Sequence, residues 1–270
     1  MDKVFYWIVR VMKMRLILVL GSLFLISVLS AGQAVGQGLS LEEITALAEG
    51  GAVNAQYNLG IMYASGEGVA ENADEAIKWF QLAAEQGDIS AQYNLGIIYA
   101  TGRGVIENEI EAAKWFRLAA NQGDANAQFN LGFMSITGRG VEKSEVESAR
   151  WYELAAEQSH AGAQFNLGYM YSNGNGVTES ASEAFKWYRL SAGQGYADAQ
   201  FNLSVQYTNG VGVDRDLVLA YVWELAAASQ GHETASANRD VSASMLEPDQ
   251  LARGQEIAGR CIASAYQDCD

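Results

Sequence analysis

Proline is almost missing from this chain of 270 residues, which has one proline against 28 glycines. Proline makes up about 5% of an average protein. Its scarcity points to helices throughout, with glycine making the turns. Cysteine and histidine are equally scarce, two of each, too few for a zinc ribbon or a dense disulfide scaffold. Basic groups are outnumbered, 17 Lys and Arg against 32 Asp and Glu, for a net charge of −15. Such a surface repels phosphate backbones, so autonomous nucleic-acid binding is excluded. The longest apolar run, residues 16–29, has 14 residues, where a membrane span needs about 20. Disorder is excluded as well, because 49% of the chain is hydrophobic and only 18% is charged. At about 150 residues per domain, the length allows one or two domains.

The first 36 residues have the order of a secretory signal peptide. Lys3, Arg10, Lys13 and Arg15 precede the apolar run, and the small-residue segment S-A-G-Q-A-V-G-Q-G follows it. Cleavage after Ala34 or after Gly36 fits the small-residue exit. The competing reading is an uncleaved anchor that also uses residues 4–11, but Lys13 and Arg15 interrupt it. Met12 or Met14 as the start would leave a signal of more ordinary length. No cysteine lies near the exit, which excludes lipoprotein processing. The expected location is periplasmic or secreted, with no stable membrane insertion after cleavage. Removing residues 1–34 takes away four basic groups and Asp2, so the net charge moves from −15 to −18.

What the chain does have is a period. The segment A-Q-Y-N-L-G starts at Ala55 and Ala91, returns as A-Q-F-N-L-G at Ala127 and Ala163, and ends as A-Q-F-N-L-S at Ala199. Trp79, Trp115, Trp151, Trp187 and Trp223 keep step with it, every interval being 36 residues. Self-similarity at such a period marks a repeat architecture. Each copy carries two helical patterns. In the first, Ala55, Leu59, Met62 and Tyr63 form one apolar stripe. Gly60, Gly96, Gly132 and Gly168 sit inside it, at about 1 kcal/mol each relative to alanine, a cost tolerable where another helix must come close. A G-x-G-V turn follows at Gly66, Gly102, Gly138, Gly174 and Gly210. With no strand and no Lys-Ser/Thr beside it, this turn is not a phosphate cradle.

The second helix of copy one runs E-A-I-K-W-F-Q-L-A-A-E-Q-G from Glu75 to Gly87. Glu75 with Lys78, Glu111 with Lys114, Glu147 with Arg150 and Glu183 with Lys186 are i,i+3 pairs on a solvated face. Leu219 and Val222 replace that pair in copy five, so the array's end needs a cover. Pro248 opens a last helix that can supply it, through Leu251, Ala258 and Ile262. At the front, Ser40 and Glu43 form a capping box for a lone helix. The chain therefore divides into a signal peptide at 1–36, a capping half-repeat at 37–51, five repeats at 52–231, and a half-repeat with capping helix and tail at 232–270. Thirteen helices are expected after the signal.

The copies resemble Sel1-like repeats, relatives of the tetratricopeptide repeat. The resemblance rests on A-Q-Y/F-N-L-G, then G-x-G-V, then E-A-x-K-W-Y/F-x-L-A-A-x-Q-G, and covers about residues 40–246. It implies an all-α fold, a right-handed α/α superhelical solenoid of 36-residue helix–turn–helix repeats that serves as an adaptor for other proteins. The tail, with Arg260-Cys261 and Tyr266 to Cys269, is similar to endings of bacterial exported members. Copy three departs from the pattern, with Ser135 in place of tyrosine and Ser159-His160 in place of Gly-Asp. Its surroundings are expected to be looser or differently curved.

No nucleophile or metal motif accompanies the repeats: Ser-x-x-Lys, Gly-x-Ser-x-Gly and His-Glu-x-x-His are all missing from the sequence. His160 and His232 occupy the turn position of Asp88 and Asp124 and read as turn residues. No catalytic, cofactor or metal site is expected. Cys261 and Cys269 reach an oxidising compartment if the chain is exported, where they either bridge or stay as free thiols.

The candidate binding surface is the row that helical geometry sets opposite the Ala55–Leu59–Tyr63 stripe. It comprises Tyr57, Asn58 and Ile61; Tyr93, Asn94 and Ile97; Phe129, Asn130 and Phe133; Phe165, Asn166 and Tyr169; and Phe201, Asn202 and Val205. In related tetratricopeptide grooves the matching asparagine contacts the backbone of a bound peptide. The alternative is that the asparagines bond within the scaffold and the aromatics pack between repeats. The expected function is an exported scaffold that binds a protein or peptide segment, one with a basic stretch suiting the acidic surface. The alternative function is an envelope enzyme or a module that binds cell wall or polysaccharide.

Overall fold

The computed structural model describes residues 39–269, so the signal-peptide reading of 1–36 lies outside the described residues. Among those residues there are thirteen α-helices and no strand. A lone helix, α1 (Leu41–Glu49), comes first. Five pairs follow: α2 (Val53–Ser65) with α3 (Ala73–Glu85), α4 (Ile89–Thr101) with α5 (Glu109–Asn121), α6 (Ala125–Thr137) with α7 (Glu145–Glu157), α8 (Ala161–Asn173) with α9 (Ala181–Gly193), and α10 (Ala197–Asn209) with α11 (Leu217–Ser229). Two helices close the chain, α12 (Glu233–Ser244) and α13 (Pro248–Ala263). This is the all-α solenoid of 36-residue helix–turn–helix repeats that the period predicts. The chain divides into two compact units, one ending at Gln122 and the other starting at Gly123.

Helix ends are written into each repeat. Every second helix starts on a capping side chain, Asn72, Asn108, Ser144, Ser180 or Asp216, whose oxygen accepts a first-turn backbone N–H. Every first helix of the five pairs stops at a left-handed glycine, from Gly66 at φ 74° to Gly210 at φ 67°. The second glycine of the turn also makes a contact that positive φ alone does not explain. In the first unit a Cβ on Gly104 would run into the Ala73 side chain at the start of α3. In the second unit, Gly176 and Gly212 lie against backbone at Glu145 and Ala181 in the same way. The turn of one repeat thus seats on the second helix of the repeat before it.

The glycine inside each first helix has the predicted purpose. A Cβ on Gly60, Gly96, Gly132 or Gly168 would stand 2.5–2.8 Å from a ring carbon of Phe80, Phe116, Tyr152 or Tyr188. The aromatic ring of the second helix therefore lies flat over a bare stretch of the first. Copy five changes both partners together: Ser204 replaces the glycine, and Glu224 replaces the ring.

Repeat three is as regular as the rest, with helices of 13 residues and the usual turn bond, Ser144 N–H to the Ser135 carbonyl at 2.9 Å. Ser159 takes the glycine conformation at φ 64°. The expected local loosening therefore has no counterpart in its helices or turn bonds.

At the far end, α13 packs on α11, and Ile257, Ala258 and Cys261 share a core with Val222, Trp223 and Ala226, with Leu219 at its edge. Helix α12 keeps the first-helix register but carries Arg239 and Asp240 where the repeats carry leucine and glycine. These two pair with each other at 3.1 Å in solvent.

Candidate functional site

The row proposed as a binding face is set by how a first helix is buried. In the first unit α2 has α1 on one side and α3 on the other. The Ala55–Leu59–Met62 stripe packs with Ile44, Ala48 and Trp79. Ile61 packs on the other side with Ala76 and Phe80, and Tyr57 and Tyr63 border that core. A first helix thus has two buried faces, and much of the row belongs to the second of them.

The aromatics of the row pack within the scaffold. Tyr57 lies on Phe80, Tyr93 on Phe116, Phe129 on Tyr152 and Phe165 on Tyr188, with ring centroids 5.7–5.9 Å apart. In the second unit Phe129, Phe165 and Phe201 each meet a further ring, His160, Tyr196 and His232, at 4.5–5.1 Å. Ile61 is fully buried and Phe133 is 6% exposed, which corrects their assignment to an open surface. Ile97 and Tyr169 are half-buried, and Val205 is exposed at 41%.

The asparagines differ among themselves. Asn58, Asn94 and Asn202 are half-buried, while Asn130 and Asn166 are buried. Asn202 lies against the Tyr188 hydroxyl, which burial pushes up to a pKa of about 12. Asn166 lies beside the Tyr152 hydroxyl in the same way, with that phenol also raised by burial. There the amide and the hydroxyl are close enough for Asn166 to favour the ionised phenol but are not aligned in a full hydrogen bond, and the amide nitrogen of Asn94 is likewise without one. Buried donors without acceptors cost about 1–3 kcal/mol each.

Sequence reasoning missed the glutamines. The side chain of Gln56 donates to the Ala48 carbonyl at 3.0 Å and accepts from Gln86 at 2.7 Å. Gln92 does the same with Ala84 and Gln122. In the second unit Gln164 binds Ala156 and Gln194, and Gln200 binds Ala192 and Gln230. This ties the glutamine of A-Q to the glutamine of Q-G, 30 residues on, in each of these repeats. The fixed 30-residue interval between the two glutamines was the available signal.

The histidines also have a structural task. Nδ1 of His160 accepts from Ala163 N–H, and Nδ1 of His232 accepts from Ala235 N–H, each at 3.1 Å. They cap α8 and α12 as Asp88 and Asp124 cap α4 and α6. The four i,i+3 ion pairs form as expected, at 3.0–3.8 Å and exposed. Cys261 and Cys269 are buried side by side as a pair, with Cα atoms 4.3 Å apart. Ala265 and Tyr266 reverse the chain between them at positive φ. Gln267 then donates to the Gly193 carbonyl at 2.7 Å.

The helix caps and ion pairs recur at 36 residues, and the Sel1 repeat family profile matches at that spacing, over 53–88, 89–124, 125–160, 161–196 and 197–232. The chain belongs to the Sel1 repeat family. Among solved structures it is similar to c5321, a protective antigen of uropathogenic Escherichia coli with an SLR fold. The identity is 34% and the TM-score 0.74, over 82% of this chain and 48% of that one. The chain thus spans about half the length of that antigen. It is also similar to a Sel1 repeat protein from Oxalobacter formigenes, at 31% identity and a TM-score of 0.68, covering 87% of this chain and 93% of that one. No curated protein matches the chain.

Sel1 repeats are scaffolds that generally mediate protein–protein interaction and are generally non-enzymatic. Among the described residues no group of three or more His, Cys, Asp or Glu is placed to hold a metal ion. No described helix is long and apolar enough to cross a membrane.

Proposed function

We propose that this Sel1 repeat protein is exported and binds a protein or peptide segment along the asparagine row of its first helices, acting as an adaptor or regulator in the bacterial envelope. The observation that supports the reading is the asparagine that recurs on every first helix of the five pairs, whose amide nitrogen is without a geometrically formed hydrogen bond at Asn94 and Asn166. A peptide carbonyl supplies an acceptor for such an amide, and satisfying it offsets a standing cost. Side-chain selectivity falls to the row positions that remain accessible, Ile97, Tyr169 and Val205. The acidic surface favours a partner segment with basic residues.

The test is a pull-down from an envelope extract with the mature chain and an Asn130→Ala/Asn166→Ala variant. A protein retained by the first and lost by the second is the expected result. Retention of glycan without any protein would show that the alternative, a wall- or polysaccharide-binding module, is correct. Export is checked separately, by sequencing the N-terminus of the protein recovered outside the cytoplasm.

A further inference from the structure

Among the described residues the array begins and ends on half a repeat. Helix α1 keeps the register of the second helices, with Leu41 in the place of Ile77 and Leu47 in that of Ala83. Helix α12 keeps the register of the first helices, with Ala237 in the place of Tyr57 and Val241 in that of Ile61. In a complete repeat those positions close on one another: Ile61, Ile77 and Ala83 share one core, bordered by Tyr57. Ile61 and Ala83 are 0% exposed there, and Ile77 is 8% exposed. At the two ends the same positions are open. Leu41 is 40% and Leu47 48% exposed, Val241 is 63% exposed, and Ala237 is exposed one turn before it. The helix that follows α12 leaves this face open, since α13 packs on α11.

The two faces depart from a complete repeat in ways that compensate each other. Tyr57 with Ala83, large on the first helix and small on the second, becomes Ala237 with Leu47, small and then large. Leu59 and Trp79, which share a core in repeat one, become Arg239 and Glu43, opposite charges at two exposed positions. Gly60, over which the Phe80 ring lies, becomes Asp240, and α1 holds no ring to meet that side chain. Ile44 stands in the ring's place and is buried with Ala55 and Leu59. Ile61 with Ile77 stays apolar, as Val241 with Leu41. Arg239 donates its Nε to Asp240 at 3.1 Å, and Glu43 accepts the Ser40 N–H at 2.7 Å. A guanidinium has five donors and a carboxylate two accepting oxygens, which leaves capacity for a bond between them.

We propose that α12 of one copy and α1 of a second copy pair as the first and second helix of a composite repeat, so that mature chains associate head to tail. The contact is heterologous, rear face on front face rather than like on like. It sets Leu41 against Val241, Leu47 against Ala237 and Glu43 against Arg239. The inference does not use the asparagine row, but it rests on removal of the leading segment, which belongs to the export reading.

The test uses the mature protein recovered after export, whose N-terminal sequence reports separately whether the leading segment is gone. Leu41→Cys and Val241→Cys are made in separate chains, mixed and mildly oxidised, and the cross-linked peptides are identified by mass. A disulfide between positions 41 and 241 of different copies is expected several-fold more often than one joining like positions. Ile106→Cys, 91% exposed and on neither face, mixed with Leu41→Cys, sets the yield of random encounters. Arg239→Glu, at an exposed position, should lower the yield between positions 41 and 241 several-fold while leaving helical content unchanged. A yield no greater than that of the Ile106→Cys control overturns the proposal. An equal yield between two copies of position 41 overturns it too, since the front face would then pair with itself. A yield that Arg239→Glu leaves unchanged would overturn the register, and the composite repeat with it.

Discussion

His160 shows how much one side chain in a turn can determine. Its Nδ1 must be unprotonated to accept the Ala163 N–H, and it is stacked on Phe129. Burial holds its pKa below the usual histidine value of 6.5. A histidine depressed in the folded state binds its proton more readily when unfolded. Its contribution is therefore complete above about pH 6.5 and is lost as pH falls from there through the folded value. Urea denaturation of the wild type should show stability falling between pH 7.5 and pH 5. In His160→Asn, where asparagine keeps a capping oxygen but does not titrate, that part of the slope should flatten. An unchanged slope would mean that the cap survives protonation. His160→Ala at pH 7.5 should cost about 1 kcal/mol, the ordinary value of a lost N-cap.

Between helices, the glutamine pairs and the tail carry the strongest expectations. Gln164 is buried and satisfies the Ala156 carbonyl, while its partner Gln194 is exposed. Gln164→Ala removes two bonds, its own to the Ala156 carbonyl, which keeps only the Ser159 N–H, and the one it accepts from Gln194, and should cost about 1–3 kcal/mol. Gln194→Ala removes only one neutral, part-buried bond and should cost about 0.5–1.5 kcal/mol. The order of the two urea midpoints checks the assignment, and equal midpoints would contradict it. The tail is checked by chemistry. Protein recovered after export, denatured without reductant, should show no titratable thiol, because Cys261 and Cys269 are in place to bridge. Two free thiols would exclude the bridge. Cys261→Ser should lower stability by about 2.5 kcal/mol, the loop-entropy value for a nine-residue closure, and should loosen the Gln267 contact to Gly193.

Across the full chain, what the sequence made legible and what it hid have one physical cause. An interval of 36 residues repeated without insertion counts the units, and Pro248 and the capping box at Ser40 locate their ends. The faces of the first helices were harder to read. A helix between two others has apolar residues on opposite sides, and a single-stripe reading leaves one of them facing solvent by default. That is how Ile61 and Phe133 came to be placed on an open row while the structure buries them. The glutamines escaped for the converse reason: a polar side chain in a repeat motif looks like surface until its partner, 30 residues on, is identified.

Net charge remains a property of the chain that needs no geometry, and it supports one last expectation. With 32 acidic groups against 17 basic ones, and four of the basic ones ahead of residue 16, the rest of the chain is strongly acidic. The exposed Glu–Lys and Glu–Arg pairs of the second helices are already matched, so the excess acid is left to attract a partner over distance. Attraction of this kind is screened with a Debye length of about 10 Å at 0.1 M salt and about 3 Å at 1 M, and it acts mainly on the association rate. A basic peptide recovered by the pull-down should therefore associate several-fold more slowly in 0.5 M than in 0.05 M NaCl, with little change in its dissociation rate. A dissociation rate that rises while association stays constant would place the charges inside the contact, and the steering account would fail.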